Sequence, residues 1–310
     1  MSSFDGNLAE ILDGLEQEQK SISPKFFYDE QGSRLFDEIT TLPEYYLTQT
    51  EIRIMLANIG EIRELVGKQA SLIEFGSGSS MKTRILLENL DELAAYVPVD
   101  ISEEHLLEAA RQIGDEFPGI EVLPVVADFT RPFDLPTPKV MPLKNIVYFP
   151  GSTIGNFTRD AATGLLEVMR HEARDEGALL IGVDLQKDAE IIENAYNDSA
   201  GVTAEFNLNV LRHLNREYGT DFDIDAFSHD ARYDEDEGRV VISLISDRQQ
   251  AVNVGDQEIE IGVGEAILTE YSHKYTLDGF AAMARECGFA VESVWTDADN
   301  LFSVQYLTAV

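Results

Sequence analysis

The 310-residue chain has a single cysteine, Cys287. This excludes an internal disulfide and any zinc site built on cysteine pairs. No apolar run approaches membrane-spanning length, so no transmembrane helix is expected. The first stretch, "MSSFDGNLAEILDGLEQEQK", is polar and acidic. It lacks the basic start and apolar centre of a signal peptide, and a cytoplasmic location is expected. Positive charge is scarce as well: 23 Lys and Arg stand against 57 Asp and Glu, a formal net charge of −34. Nucleic-acid phosphates and anionic lipid heads repel such a chain, so neither nucleic acid nor membrane is expected as a partner. The acids are spread along the chain and read as a solvated acidic surface. Arginine outnumbers lysine among the few cations, a bias that fits a salty surrounding. His105, His171, His213, His229 and His273 show no paired spacing for a metal, and no metal site is expected. They read as surface or packing residues. The hydrophobic content of 44% is ample for one large domain or two ordinary ones.

From 70 to 186 the pattern alternates strand and helix. Strands are expected at 71–75, 94–99, 120–127, 144–149 and 177–184, with helices at 80–90, 102–114 and 158–174. Ser102 and Thr158 are candidate N-caps. Such alternation argues for a parallel sheet covered on both faces. Before it come a short amphipathic helix at 5–18 and another carrying Leu35, Phe36 and Ile39. A third starts from the capping-box spacing of Thr48 and Glu51 and ends near Gly67. Residues 187–275 break the alternation with helical patterns at 187–197 and 202–218 and then strand-like runs, "RVVISLIS" and "EAILTEYSHKY" among them. Thr276 then caps a helix that stops at Gly288, and strands follow at 289–296 and 301–309. The expected organisation is one α/β domain over 52–186 and 276–310, and a second, α+β domain over 1–51 and 187–275.

"LIEFGSGSSMKT" (72–83) places Gly76-Ser77-Gly78 directly after the first strand. Glycines there let backbone approach a ligand, but a dinucleotide fingerprint needs a third glycine where Met81 stands. A ligand without a pyrophosphate fits better. Asp100 ends the second strand and can accept hydrogen bonds from ribose hydroxyls. Asp128 and Phe129 end the third and can meet an adenine amino group and ring face. With Glu74 these acids make the crevice negative, which suits a sulfonium cation. S-adenosylmethionine (SAM) combines ribose, adenine and positive charge without phosphate. "PGSTIGNF" (150–157) follows the fourth strand, and Asn156 offers both a donor and an acceptor to an amino acid. In "TEYSHKY" (269–275) alternation puts Glu270, Ser272 and Lys274 on one strand face, where a carboxylate beside a hydroxyl can read an imidazole N–H.

The strings "KFFYDEQGSRLFDEITTLPEYYLTQTE", "EFGSGSSMKT", "PGSTIGNF", "AYNDSAGVTAEFNLNVLRHLNRE", "DFDIDAFSH" and "LTEYSHKY" resemble the histidine-specific Nα-methyltransferases of ergothioneine biosynthesis over nearly the whole chain. The resemblance implies a Rossmann-like class I SAM methyltransferase domain with a second, substrate-binding domain. It implies three methyl transfers from SAM to the α-amine of L-histidine, giving hercynine. Carried over by motif, Gly76, Lys82, Asp100, Asp128 and Phe129 would bind the cofactor. Tyr45, Asn156, Tyr196, Glu270 and Ser272 would bind the substrate, with Tyr28 and Asn156 at the reacting amine. A monomer acting on a small molecule is expected. Where family members place a methionine beside the substrate, this chain has Ile242. A stiff, branched side chain replaces a flexible one there, which implies a differently shaped pocket. Two alternatives stay open: a methyltransferase for another amino acid such as tryptophan, and a non-catalytic SAM-binding regulator.

Overall fold

A computed structural model describes residues 3–77 and 81–310. Gly78 of the glycine turn and Ser80, where the following helix was expected to begin, lie outside the described residues. The strands, in chain order, are β1 (Ala70–Phe75), β2 (Ala95–Asp100), β3 (Val125–Val126), β4 (Lys144–Phe149), β5 (Ala178–Asp184) and β6 (Phe227–Asp234). They continue with β7 (Arg239–Ser246), β8 (Gln250–Val254), β9 (Gln257–Ile261), β10 (Ala266–His273), β11 (Phe289–Thr296) and β12 (Phe302–Ala309). The chain forms two compact units, Leu47–Gln186 with Lys274–Val310, and Met1–Tyr46 with Lys187–His273.

The first of these units holds a seven-stranded sheet in the order β11-β12-β5-β4-β1-β2-β3. β1 runs parallel to β2 and β4, and β12 runs antiparallel to β5 and β11. Buried side chains on β1, β4 and β5, such as Ile73, Val147, Phe149 and Ile181, form the core. Against them packs the helix Arg159–Ala173, whose Ala162, Leu165, Leu166 and Met169 recur at helical spacing on one face. Thr158 starts this helix by accepting from the Ala161 N–H, and Thr276 does the same for Leu277–Glu286 through Gly279.

The local expectations fail where a distant partner intervenes. The strand expected at 120–127 shrinks to Val125–Val126. Residues 121–123 still bond to both backbone groups of Tyr96, but Pro124 has no N–H to continue the ladder. Ser102 occupies an N-cap position but makes no side-chain cap bond, and its own N–H donates to Asp100 Oδ1 at 2.9 Å. The helix Tyr46–Val66 begins before Thr48 and ends just before Gly67. Thr48 and Glu51 are both buried within it and form no capping box, because Glu51 lies on the helix's apolar face with Leu47, Ile54 and Met55.

The second unit packs the helix Val202–Tyr218 on the helix Glu30–Ile39 and against the sheet β10-β7-β6, which is antiparallel throughout. β8 and β9 form a separate hairpin. Thr269 introduces a bulge in β10, its Oγ1 donating to the Ile242 carbonyl at 3.1 Å. Beyond the bulge Glu270 pairs with Ile242 and Ser272 with Val240. Lys274 does not extend this face as alternation suggested: β10 ends at His273, and Lys274 turns into a fully buried ion pair with Asp184, 2.7 Å away. No described helix is long and apolar enough to cross a membrane.

Candidate active site

In the unit that carries the large sheet, Gly76, Asp100, Asp128 and Phe129 come together along the carboxyl ends of β1, β2 and β3. The Gly76 N–H donates to the Val99 carbonyl at 2.9 Å, and the Ala127 N–H to the Asp100 carbonyl at 3.0 Å. Gly76 has φ +72°, a conformation that strains any residue with a Cβ, and a Cβ there would sit 3.6 Å from the Phe129 ring. The Phe129 ring lies among Phe75 and Phe149, with centroids 5.6 and 6.0 Å away. Its position is therefore set by the core. Asp128 accepts from the Thr130 N–H and hydroxyl at 3.0 and 2.6 Å, with Arg131 at 3.6 Å. This turn holds the carboxylate at the surface of the crevice.

Glu74 does not line the crevice as the sequence suggested. It is 3% exposed and sits beneath the turn, where Thr83 and Tyr96 donate to it at 2.6 and 2.5 Å. Burial pushes its carboxyl up to about 7, against the pull of both hydroxyls and of Lys82. Its work is to tie β1, β2 and the helix Met81–Asn89 into one turn.

Lys82, on the helix that follows the turn, is paired with an acid of another helix. Its Nζ lies 2.5 Å from Glu51 Oε2 in a nearly buried ion pair. The same carboxylate accepts from the Gly151 N–H at 2.9 and 3.1 Å. Glu51 thus joins the helix Tyr46–Val66, the helix of Lys82 and the loop after β4. Gly182 makes room for it, since a Cβ there would be 2.1 Å from Glu51 Oε1. In that loop Asn156 ends a short 3-10 turn, Thr153–Asn156, anchored where the Asp184 N–H donates to Ser152 Oγ at 2.9 Å. Sequence reading missed Glu51 as a site-building residue. The available signal was an acid at i+4 from Leu47 on an apolar helix face.

The other unit collects the remaining expected residues in a chain of rings. Tyr28 meets Phe36 and Phe206 edge-on, and Phe36 meets Tyr45. Tyr45 in turn stands edge-on to Tyr196 at 6.3 Å, and the Tyr196 hydroxyl is 2.7 Å from Ser272 Oγ. Glu270 lies two residues from Ser272 on the same strand, directly across from Ile242. Tyr28 is followed by Asp29, another residue that sequence reading passed over. Asp29 caps the next helix through Gly32 and accepts from Asn209 and Arg216 at 2.8 and 2.7 Å. Burial raises its pKa, but these donors outweigh that effect and hold the carboxyl below its ordinary value.

A sequence profile for histidine-specific, SAM-dependent methyltransferases matches residues 7–309. The chain belongs to that family. The histidine N-alpha-methyltransferase of Mycolicibacterium smegmatis is 41% identical to this methyltransferase over 300 residues, covering 95% of this chain and 92% of the relative. Ergothioneine biosynthesis protein 1 of Neurospora crassa is 31% identical over 283 residues, 87% of this chain but 31% of that longer protein. A solved SAM-dependent methyltransferase from Clostridium acetobutylicum superposes with a TM-score of 0.50 at 9% identity, covering 90% of this chain and 98% of its own, and shares the fold. The chain is a SAM-dependent N-methyltransferase of the Rossmann-like α/β fold, with SAM as its cofactor. The crevice suits that group in kind: two carboxylates and an aromatic ring beside a Cβ-free turn match hydroxyls, an amine, a ring and a cation.

Proposed function

We propose that this methyltransferase trimethylates the α-amine of L-histidine to hercynine, the opening step of ergothioneine biosynthesis. The observation that carries this reading is the family match across residues 7–309. The unit Leu47–Gln186 with Lys274–Val310 serves as the SAM domain, and the unit Met1–Tyr46 with Lys187–His273 as the substrate-binding domain. Asp100 takes the ribose, Asp128 and Phe129 the adenine, and Gly76 and Lys82 shape the turn around the cofactor. Glu270 and Ser272 read the imidazole N–H edge, while Tyr45, Tyr196 and Asn156 hold the amino acid.

Bound SAM supplies a methyl group already activated by a cationic sulfur. The chain's own residues then have to present a neutral amine in line with it. Tyr28 and Asn156 orient the lone pair, and placement of this kind is worth roughly 7–11 kcal/mol in favourable cases. The proton lost at each transfer leaves through solvent. The protein works in the cytoplasm as a monomer on a small-molecule substrate, with neither nucleic acid nor membrane as partner; its net charge of −34 supports that part.

Incubation with SAM and a mixture of amino acids, read by mass spectrometry, tests the reading. Trimethylated histidine is expected. A product on another amino acid alone refutes it. One observation favours that second outcome: Ile242, directly opposite Glu270, gives the pocket a stiff branched wall. Tryptophan is then the alternative substrate.

A further inference from the structure

Tyr196 is the last residue of the helix Ala189–Tyr196, so its carbonyl is one that the helix cannot satisfy from within. His229 of β6 supplies the partner, with Nε2 2.8 Å from that oxygen. Across the ring, Nδ1 lies 2.9 Å from Asn207 Nδ2. The same Asn207 nitrogen is 3.0 Å from the Ser243 carbonyl, which identifies it as the amide NH₂ and not the oxygen. A carbonyl only accepts and an amide nitrogen only donates, so His229 carries its proton on Nε2 and a lone pair on Nδ1. An imidazolium would turn an N–H against the Asn207 NH₂. Asn207 is 1% exposed and its Oδ1 has no hydrogen-bond partner among the described residues. A buried orphan of this kind is costly, and the fold keeps it. Two more bonds fasten the same helix end to β6: Asn197 Nδ2 to the Ala231 carbonyl and the Tyr233 N–H to Glu193 Oε1, each 2.9 Å.

We propose that His229, held between Asn207 and the Tyr196 carbonyl, is a positioning residue that sets where the Tyr196 hydroxyl meets Ser272. The proposal rests on the reading of Tyr196 and Ser272 as substrate residues. It also makes substrate binding sensitive to acid. Burial lowers the His229 pKa below its ordinary 6.5, while the bond to Tyr196 and the charges of Asp230 and Asp198 pull it up. Protonation breaks the Asn207 contact and loosens the helix end.

Two substitutions separate the two sides of the ring. In His229→Gln the amide nitrogen reaches the place of Nε2 and keeps the bond to Tyr196. In His229→Asn the shorter side chain reaches only the place of Nδ1. His229→Asn should raise the KM for L-histidine on the order of 10-fold, with a smaller change in kcat and an unchanged Kd for SAM. His229→Gln should return the KM to within a few-fold of wild type. The wild-type KM should also rise at low pH relative to that of His229→Gln; the ratio cancels the ionisation of histidine itself. Equal KM values in both variants, whether unchanged or equally raised, overturn the proposal. Tyr196→Phe and Ser272→Ala run alongside. If neither raises the KM, the underlying substrate assignment has failed. If either does and His229→Asn does not, only the positioning role has failed. Should His229→Asn not fold, a pH-independent ratio between wild type and His229→Gln overturns the proposal by itself.

Discussion

Glu74 makes stability depend on pH in a direction opposite to that of most carboxylates. Its carboxyl is raised from 4.5 to about 7, first by burial and then by Asp100, with Thr83, Tyr96 and Lys82 opposing. Between those two values the folded protein holds a proton that the unfolded chain has released. Stability therefore falls as pH rises through this window. At 1.36 kcal/mol per pKa unit, the whole window corresponds to about 3 kcal/mol. Glu74→Gln removes the titration and keeps the shape. The amide oxygen can accept from one of the two hydroxyls, and the amide nitrogen can donate to the oxygen of the other. Urea unfolding of wild type and variant at intervals from pH 4 to 8 measures the difference, in which all other groups cancel. The variant should gain on wild type by about 3 kcal/mol across the range, most steeply between pH 5 and 7. A pH-independent difference would falsify the argument that Glu74 is buried with a high pKa, and a difference of opposite slope would mean that its donors outweigh burial.

Lys274→Met should destabilise by about 3–5 kcal/mol in the same unfolding assay, because it leaves Asp184 as a buried charge without its cation. Lys274→Met with Asp184→Leu should recover much of that loss; an equally unstable double variant refutes the pairing argument. Gly182→Ala should cost at least about 1–3 kcal/mol, since the new Cβ falls 2.1 Å from Glu51 Oε1, and a neutral result would show that the Glu51 carboxylate can move aside. Asp100→Ala should weaken SAM binding by calorimetry while leaving the fold intact by circular dichroism; unchanged affinity reduces Asp100 to its contact with Ser102. Glu270→Ala should depress histidine turnover far more than SAM binding, by roughly 10–100-fold, the cost of leaving the ring N–H without its acceptor. Wild-type turnover in that variant removes Glu270 from the substrate site.

Short-range chemistry left its mark in the order of residues along the chain. The alternation from 70 to 186 follows from side-chain period, and the helix starts at Thr158 and Thr276 follow from hydroxyls three residues before the N–H groups they cap. The end of β2 at Asp100 and the glycine at a φ of +72° also belong to local pattern. The family strings named candidate residues that no periodicity could pick out.

Which polar groups meet depends on how the elements pack. Thr48 and Glu51 have the spacing of a capping box, but Glu51 was claimed by Lys82, 31 residues along, and by the Gly151 N–H. Glu74 and Lys274 have the spacing of ligand-facing residues, but the first is buried under Thr83 and Tyr96 and the second is sealed against Asp184. His229 reads as a packing residue until Asn207 and the end of the Tyr196 helix are brought to its two nitrogens. The reason is common to all of these. A buried polar group must find a partner wherever the packed chain places one, and that search runs through space, where sequence spacing carries no information.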